Sequence, residues 1–196
     1  MELKTVIFMG RSGCGKGTQA SLLVEYLRMK DQEHLTHYLE TGKEFRKFIT
    51  TPGYSAENAK RIYEEGGLMP EFLPVWIWSE FFIRNISGKE HIIMDGVARR
   101  FREAEIMDSA FDFYKRPKPT VILIDVSKEW AFDRLMARKR SDDSEEDIRT
   151  RLDWFEKDVS KSLSFYKSDP KYDFIVVNGE QTIEEVHGEI ISKFSK

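Results

Sequence analysis

The chain has 196 residues and a formal net charge of −3, with 31 Lys and Arg against 34 Asp and Glu. That length suits one α/β domain with room for an inserted lobe, and the slightly acidic balance argues against a duplex nucleic-acid partner, which needs a basic stripe. No apolar run approaches the ~18 residues of a membrane span, and a single cysteine, Cys14, excludes an internal disulfide and a cysteine-based metal cluster. The first apolar stretch is too short for a signal peptide, so a soluble cytoplasmic protein is expected.

Residues 3–9 read as a buried parallel strand and 16–29 as its helix, with Leu22, Leu23, Tyr26 and Leu27 at helical spacing. A second strand is predicted over 35–40, and Thr41-Gly42 opens a further helix. Residues 47–71 are polar and punctuated by Pro52-Gly53 and Gly66-Gly67, which predicts a small helical lobe rather than more sheet. The dense apolar stretch 72–87 predicts a core helix. A third strand over 91–94 ends at Asp95-Gly96, a polar helix covers 99–114, and a fourth strand covers 120–126. Helix 128–138 leads into Lys139–Asp143 and one long helix over 144–167, followed by a fifth strand at 174–177 and a closing helix at 182–194. Alternating strands and helices imply a parallel sheet covered on both faces, with ligands gathered at the carboxyl ends of its strands.

The organising stretch is Gly10-Arg11-Ser12-Gly13-Cys14-Gly15-Lys16-Gly17-Thr18. Strand, glycine-rich turn and helix together form the context of a phosphate-binding loop. Backbone N–H groups, the positive end of the helix and the Lys16 ammonium all favour a bound anion. Gly17 replaces the usual Ser/Thr after the lysine, so Thr18 is left to supply the hydroxyl near Mg²⁺. The loop predicts a nucleoside triphosphate ligand. Cys14 lies where a thiol pKa tends to fall, although a small filler residue is the simpler reading.

Phosphoryl transfer runs on positioning and charge neutralisation, so its sites are rich in Arg, Lys and Mg²⁺. Asp95, at the end of a strand beside the loop, is placed to hold Mg²⁺ through water, or alternatively to cap the next helix. Arg134 and Arg138 share one helical face, and Arg140, Arg149 and Arg151 follow closely. Alone, this segment also reads as a solvated face paired with Glu145, Glu146 and Asp147. His34, His37, His91 and His187 lack ligand spacing and read as structural or exposed.

Four blocks, in order, resemble the adenylate kinase family of nucleoside monophosphate kinases. They are Gly10–Thr18 with Gln19; Thr41-Gly42 with Arg46; Asp95-Gly96 with Arg99; and Arg134/Arg138 followed by Arg140-Ser141-Asp142-Asp143 and Arg151. The resemblance implies a P-loop three-layer α/β sandwich with a five-stranded parallel sheet, a helical NMP-binding lobe over 41–72 and a minimal LID at 139–143. It implies reversible Mg²⁺-dependent transfer of the ATP γ-phosphoryl group to AMP, giving two ADP, by a monomer. By position, Gly13, Cys14, Gly15, Lys16, Gly17 and Thr18 would hold ATP, with Arg138 neutralising charge and Arg134 and Gln181 near its base. Arg46, Arg99 and Arg140 would grip the monophosphate, and Arg151 would span both ligands. Thr41, Gly42, Gly67, Leu68, Met69 and Gly96 would line the acceptor's site. Thr18 and Asp95 would organise Mg²⁺.

Departures from the family pattern matter too. The third block normally contains a proline preceded by a cis bond; Ala98 stands there, where a cis bond costs ~3–4 kcal/mol, so a trans Val97–Ala98 bond is predicted. Glu103 stands in place of a glutamine that reads adenine. An ionised glutamate only accepts hydrogen bonds, which suits guanine or cytosine better, whereas Thr41 is the adenylate-type residue; a Glu103 turned outward to Arg100 or Arg102 would leave base recognition to the backbone. AMP is the preferred acceptor, with UMP/CMP and GMP as alternatives, and a non-catalytic nucleotide sensor as another. One residue, Lys139, separates Arg138 from Arg140, a shortened lid expected to enclose ATP less fully.

Overall fold

The structure is a computed structural model describing residues 1–65, 67–116, 118–138 and 144–195. The segment 139–143 expected to form the LID, with Arg140, lies outside the described residues. Strands β1 (Thr5–Met9), β2 (Leu35–Glu40), β3 (Glu90–Asp95), β4 (Thr120–Asp125) and β5 (Asp173–Asn178) form a parallel sheet in the order β2-β3-β1-β4-β5. Helices α1 (Lys16–Lys30), α2 (Thr41–Phe48), α3 (Tyr54–Glu64), α4 (Phe72–Asn85), α5 (Phe101–Phe113), α6 (Lys128–Arg138), α7 (Glu145–Trp154), α8 (Ser160–Ser168) and α9 (Ile183–Phe194) complete it. No helix among the described residues is long and apolar enough to cross a membrane.

The alternation of side chains along each strand builds two cores. Val6 and Phe8 of β1 join Ile93, Ile122 and Ile124 against Leu23, Val24 and Leu27 of α1. Ile7 and Met9 point the other way, with Ile92, Met94 and Val121, against Ile77, Trp78 and Phe82 of α4 and Met107 and Phe111 of α5. Each such side chain contributes roughly 1.5–3 kcal/mol on burial. The chain leaves β1 toward β2 and leaves β4 toward β5, so the neighbours β1 and β4 flank a topological switch point, where a crevice opens at the carboxyl ends.

One sequence expectation needs correcting. The single helix over 144–167 is instead α7 and α8 joined by a π-helical turn at Phe155–Val159. Neither Gly nor Pro marks that break; the i→i+5 turn buries both Phe155 and Val159, a placement no local residue preference signals.

The Cys14 thiol is not activated. Burial pushes its pKa up, and nearby Lys16 does not overcome that desolvation.

His34 and His91, far apart in the sequence, are brought together by Asp31, in keeping with a structural reading of both. Asp31 Oδ2 lies 2.9 Å from His34 Nδ1 and 3.2 Å from His91 Nε2. The Lys4 backbone N–H donates to His91 Nδ1 at 2.9 Å, which leaves the ring proton on Nε2, facing Asp31. A metal ion on Nε2 would strip that proton and create an imidazolate, so the trio fits a hydrogen-bonded tie rather than a metal centre. The hydrogen bond with His34 holds the Asp31 carboxyl well below the usual carboxylate range.

Candidate functional site

The loop after β1 turns where only glycine fits. At Gly10 (φ +143°) a Cβ would lie 2.5 Å from the Ile124 carbonyl oxygen and 2.7 Å from Cys14 Sγ. Gly15, in the left-handed region at φ +98°, caps α1. Lys16 folds back over the loop, donating from Nζ to the carbonyls of Gly10 at 3.0 Å and Arg11 at 2.9 Å. Its ammonium is thereby held at the mouth of the loop.

In front of the loop lies one cleft of about 850 Å³. Gly13, Gly15, Lys16, Gly17 and Thr18 line it, as do Arg134, Arg138 and Arg151 from the second half of the chain. Thr41, Gly42, Arg46, Gly67, Leu68, Met69, Gly96, Arg99 and Glu103 line the remainder. Asp95 ends β3 at its floor, in register with Glu40 at the end of β2. A Cβ on Gly17 would sit 3.5 Å from Asp95 Oδ2, so strand end and loop meet closely. Cys14 and Gln181 do not face this cleft. They line a small adjoining recess with Gly15, Thr18 and Arg134. Arg149 is also outside the cleft, paired with Glu145 at 2.8 Å; that much of the solvated-face reading is correct.

The charged groups have distinct surroundings. Asp95 is buried, and desolvation pushes its carboxyl above the usual range despite the opposing charges of Lys16 and Arg99. Arg46 Nη2 donates to Glu40 Oε1 at 2.8 Å, and a Cβ on Gly42 would lie 3.3 Å from Arg46 Nη1. The missing Cβ of Gly42 lets that guanidinium cross the start of α2. Gly96 serves Arg99 in the same way, a Cβ there falling 3.0 Å from Arg99 Nη2. The Val97–Ala98 bond is trans, with Ala98 in the left-handed region at φ +49°. Arg134 stacks over the Trp130 ring at 4.7 Å.

Glu103 is turned inward, and the outward pairing with Arg100 or Arg102 does not occur. Its Oε2 accepts the Arg99 N–H at 2.8 Å, and its side chain is buried in the first turn of α5. Burial raises the carboxyl's pKa, opposed by the backbone N–H groups of Arg99 and Arg100. Arg100 Nη1 instead donates to the Met69 carbonyl at 2.7 Å, tying α5 to the chain before α4.

Sequence reasoning missed several lining residues: Tyr38, Glu40, Tyr63, Trp154, Phe155 and Val159. Glu40 was findable, as the residue immediately before Thr41-Gly42; no motif in the sequence sets Tyr38, Tyr63, Trp154 or Phe155 apart from packing residues. The cleft thus gathers the glycine-rich loop, two buried carboxyl groups, Asp95 and Glu103, and five arginines, a composition suited to phosphoryl transfer.

A family profile described as adenylate kinase matches residues 8–171. The chain belongs to the adenylate kinase family. It is 30% identical over 185 residues to adenylate kinase 1 of Nostoc sp. strain PCC 7120, covering 94% of this chain and 95% of that protein. It is 28% identical to adenylate kinase of Prochlorococcus marinus strain AS9601, covering 98% and 99% of the two chains. With adenylate kinase of Corynebacterium diphtheriae the identity is 26%, over 97% and 99%. As an adenylate kinase family member the protein is a phosphotransferase, and the loop, Asp95 and the arginines are the parts of its cleft suited to that work.

Proposed function

We propose that the protein is a nucleoside monophosphate kinase that transfers the γ-phosphoryl group of Mg²⁺-bound ATP reversibly to AMP. The observation that carries this reading is that Lys16, Arg46, Arg99, Arg138 and Arg151 all line one continuous cleft of about 850 Å³, large enough for two nucleotides end to end. Lys16 and the backbone of Gly13–Thr18, Cys14 included, hold the triphosphate, with Arg138 on the donor side and Arg134 and Gln181 near the donor base. Arg46 and Arg99, with Arg140 from outside the described residues, hold the monophosphate. Arg151 bridges both. Thr41, Gly42, Gly67, Leu68, Met69 and Gly96 surround the acceptor, making 41–72 the acceptor lobe and 139–143 the lid.

Thr18 and Asp95 fit Mg²⁺. A buried carboxylate whose ionisation is penalised and an exposed hydroxyl are hard oxygen donors, and the cation offsets the cost of the buried charge. When bound, Mg²⁺ neutralises charge on the transferred group.

A second acceptor is favoured by one observation: Glu103 lies inside the cleft and offers only acceptor oxygens, which would pair with guanine N1–H and N2–H₂. A panel of AMP, GMP, CMP, UMP and dTMP with ATP and Mg²⁺ tests both. AMP should give the highest kcat/KM; a GMP or pyrimidine maximum replaces the AMP assignment, and nucleotide binding without turnover for every acceptor refutes the kinase reading in favour of a sensor.

A further inference from the structure

Arg11 is part of the phosphate loop, yet its side chain does not line the cleft. It reaches instead to the end of β4 and to the turn that follows α7. Nη1 donates to the Val126 carbonyl at 2.7 Å and lies 3.6 Å from Asp125 Oδ1, just past the end of β4. Nη2 donates to Glu156 Oε1, and the guanidinium carbon lies 4.4 Å from the centre of the Phe155 ring. The Arg11 side chain is only 15% exposed.

Phe155 and Glu156 open the π turn, immediately after Trp154 and one helical turn beyond Arg151. The backbone of Arg11 faces the other way, its carbonyl accepting from Lys16 Nζ at 2.9 Å. One residue therefore touches both the lysine and the base of the helix that carries Arg151. A π turn lacks the tight i→i+4 ladder, so its orientation depends on what braces it laterally. An exposed ion pair alone contributes little; here a backbone hydrogen bond and ring stacking act on the same guanidinium.

We propose that Arg11 and Glu156 are positioning residues that set Arg151 relative to Lys16 in the cleft. This rests on the phosphoryl-transfer reading of the cleft. An error of ~1 Å in such placement costs on the order of a hundredfold in rate, so loss of a brace registers in kcat before it registers in nucleotide binding.

The test is steady-state kinetics per folded molecule, with Tm measured on the same preparations. Arg11→Met should lower kcat about tenfold and leave the KM for ATP within about twofold. Glu156→Gln, at an exposed position that leaves the fold intact, should lower kcat about threefold, and the double variant should be no slower than Arg11→Met. Arg11→Lys should recover part of the loss. The proposal is overturned if kcat per folded molecule stays within twofold in both single variants, or if their effects multiply. Should Arg11→Met fail to fold, Glu156→Gln alone decides. Lys16→Met, assayed alongside, should abolish turnover; its survival would overturn the reading of the cleft, whereas an inactive Lys16→Met beside unaffected Arg11 and Glu156 variants would overturn only the brace.

Discussion

Glu40 Oε1 accepts a 2.8 Å hydrogen bond from Arg46 Nη2, so this guanidinium already carries a counter-ion inside the cleft. The pair orients Arg46 but sets a negative charge near the place proposed for a phosphate dianion. Two unit charges a few ångströms apart interact by about 4 kcal/mol at an effective dielectric of 20; partial exposure of both side chains reduces that to ~1 kcal/mol. Glu40→Gln keeps an acceptor for Arg46 and removes the charge. The monophosphate KM should fall roughly fivefold with kcat within about twofold, read from initial rates at saturating ATP. A higher KM would mean that orientation of Arg46 outweighs repulsion.

Glu103 carries two duties that one substitution separates. As a helix cap it accepts the Arg99 N–H, which the amide oxygen of glutamine also does. As a lining group it offers base edges only acceptors. Glu103→Gln should therefore change stability by no more than about 1 kcal/mol while raising the AMP/GMP ratio of kcat/KM about tenfold or more. A ratio unchanged across the monophosphate panel would remove Glu103 from base recognition.

The features legible in the sequence were the local ones. The Leu35–Glu40 strand has its predicted bounds, and the glycine-rich loop lies between strand and helix as its spacing demands. Hydrophobic period and turn chemistry act over a few residues, and a reader of the chain has access to both. What stayed hidden depends on contacts between distant positions. Arg11 and Glu156 are 145 residues apart, and His91 meets Asp31 across 60; no spacing rule connects them. The π turn at Phe155–Val159 was hidden for a different reason: its residues suit an α-helix equally well, and tertiary packing selects the wider turn. Glu103 could be placed on its helix from the sequence, but its inward direction follows from the Arg99 and Arg100 backbone, which only the fold positions.

Gly10 is where the loop tolerates least. A Cβ there meets the Ile124 carbonyl oxygen at 2.5 Å, a backbone atom of a central strand, and φ is +143°. Gly10→Ala should cost at least about 2 kcal/mol from backbone strain and the clash together. A urea midpoint lowered to match, with weakened ATP protection against thermal unfolding, would bear this out. An unchanged midpoint would mean that the loop and β4 separate easily. Gly53, whose added Cβ meets nothing within 4 Å but whose φ is +125°, separates the two costs: Gly53→Ala carries the strain without the clash and should destabilise less.

Asp95 couples the chemistry to stability through pH. Burial raises its carboxyl's pKa in the folded protein, so the fold favours the neutral form. Its favourable contribution is complete below the unfolded value of ~3.9 and is lost as pH rises through the higher folded value. At neutral pH the ionised side chain is therefore a net cost to the ligand-free fold. Asp95→Asn should raise the ligand-free Tm at pH 7 by roughly 2–6 °C, given ~2–4 °C per kcal/mol at this chain length. The gain should shrink steadily as pH falls toward 4. The same variant should lose at least about a hundredfold in kcat, because an amide offers no charge to hold Mg²⁺. Thermal scans between pH 4 and 8 without nucleotide, beside turnover measurements at pH 7, check both halves. A variant less stable than the parent at pH 7 would show that the charges of Lys16 and Arg99 outweigh desolvation. Full activity in Asp95→Asn would remove this carboxylate from the metal site.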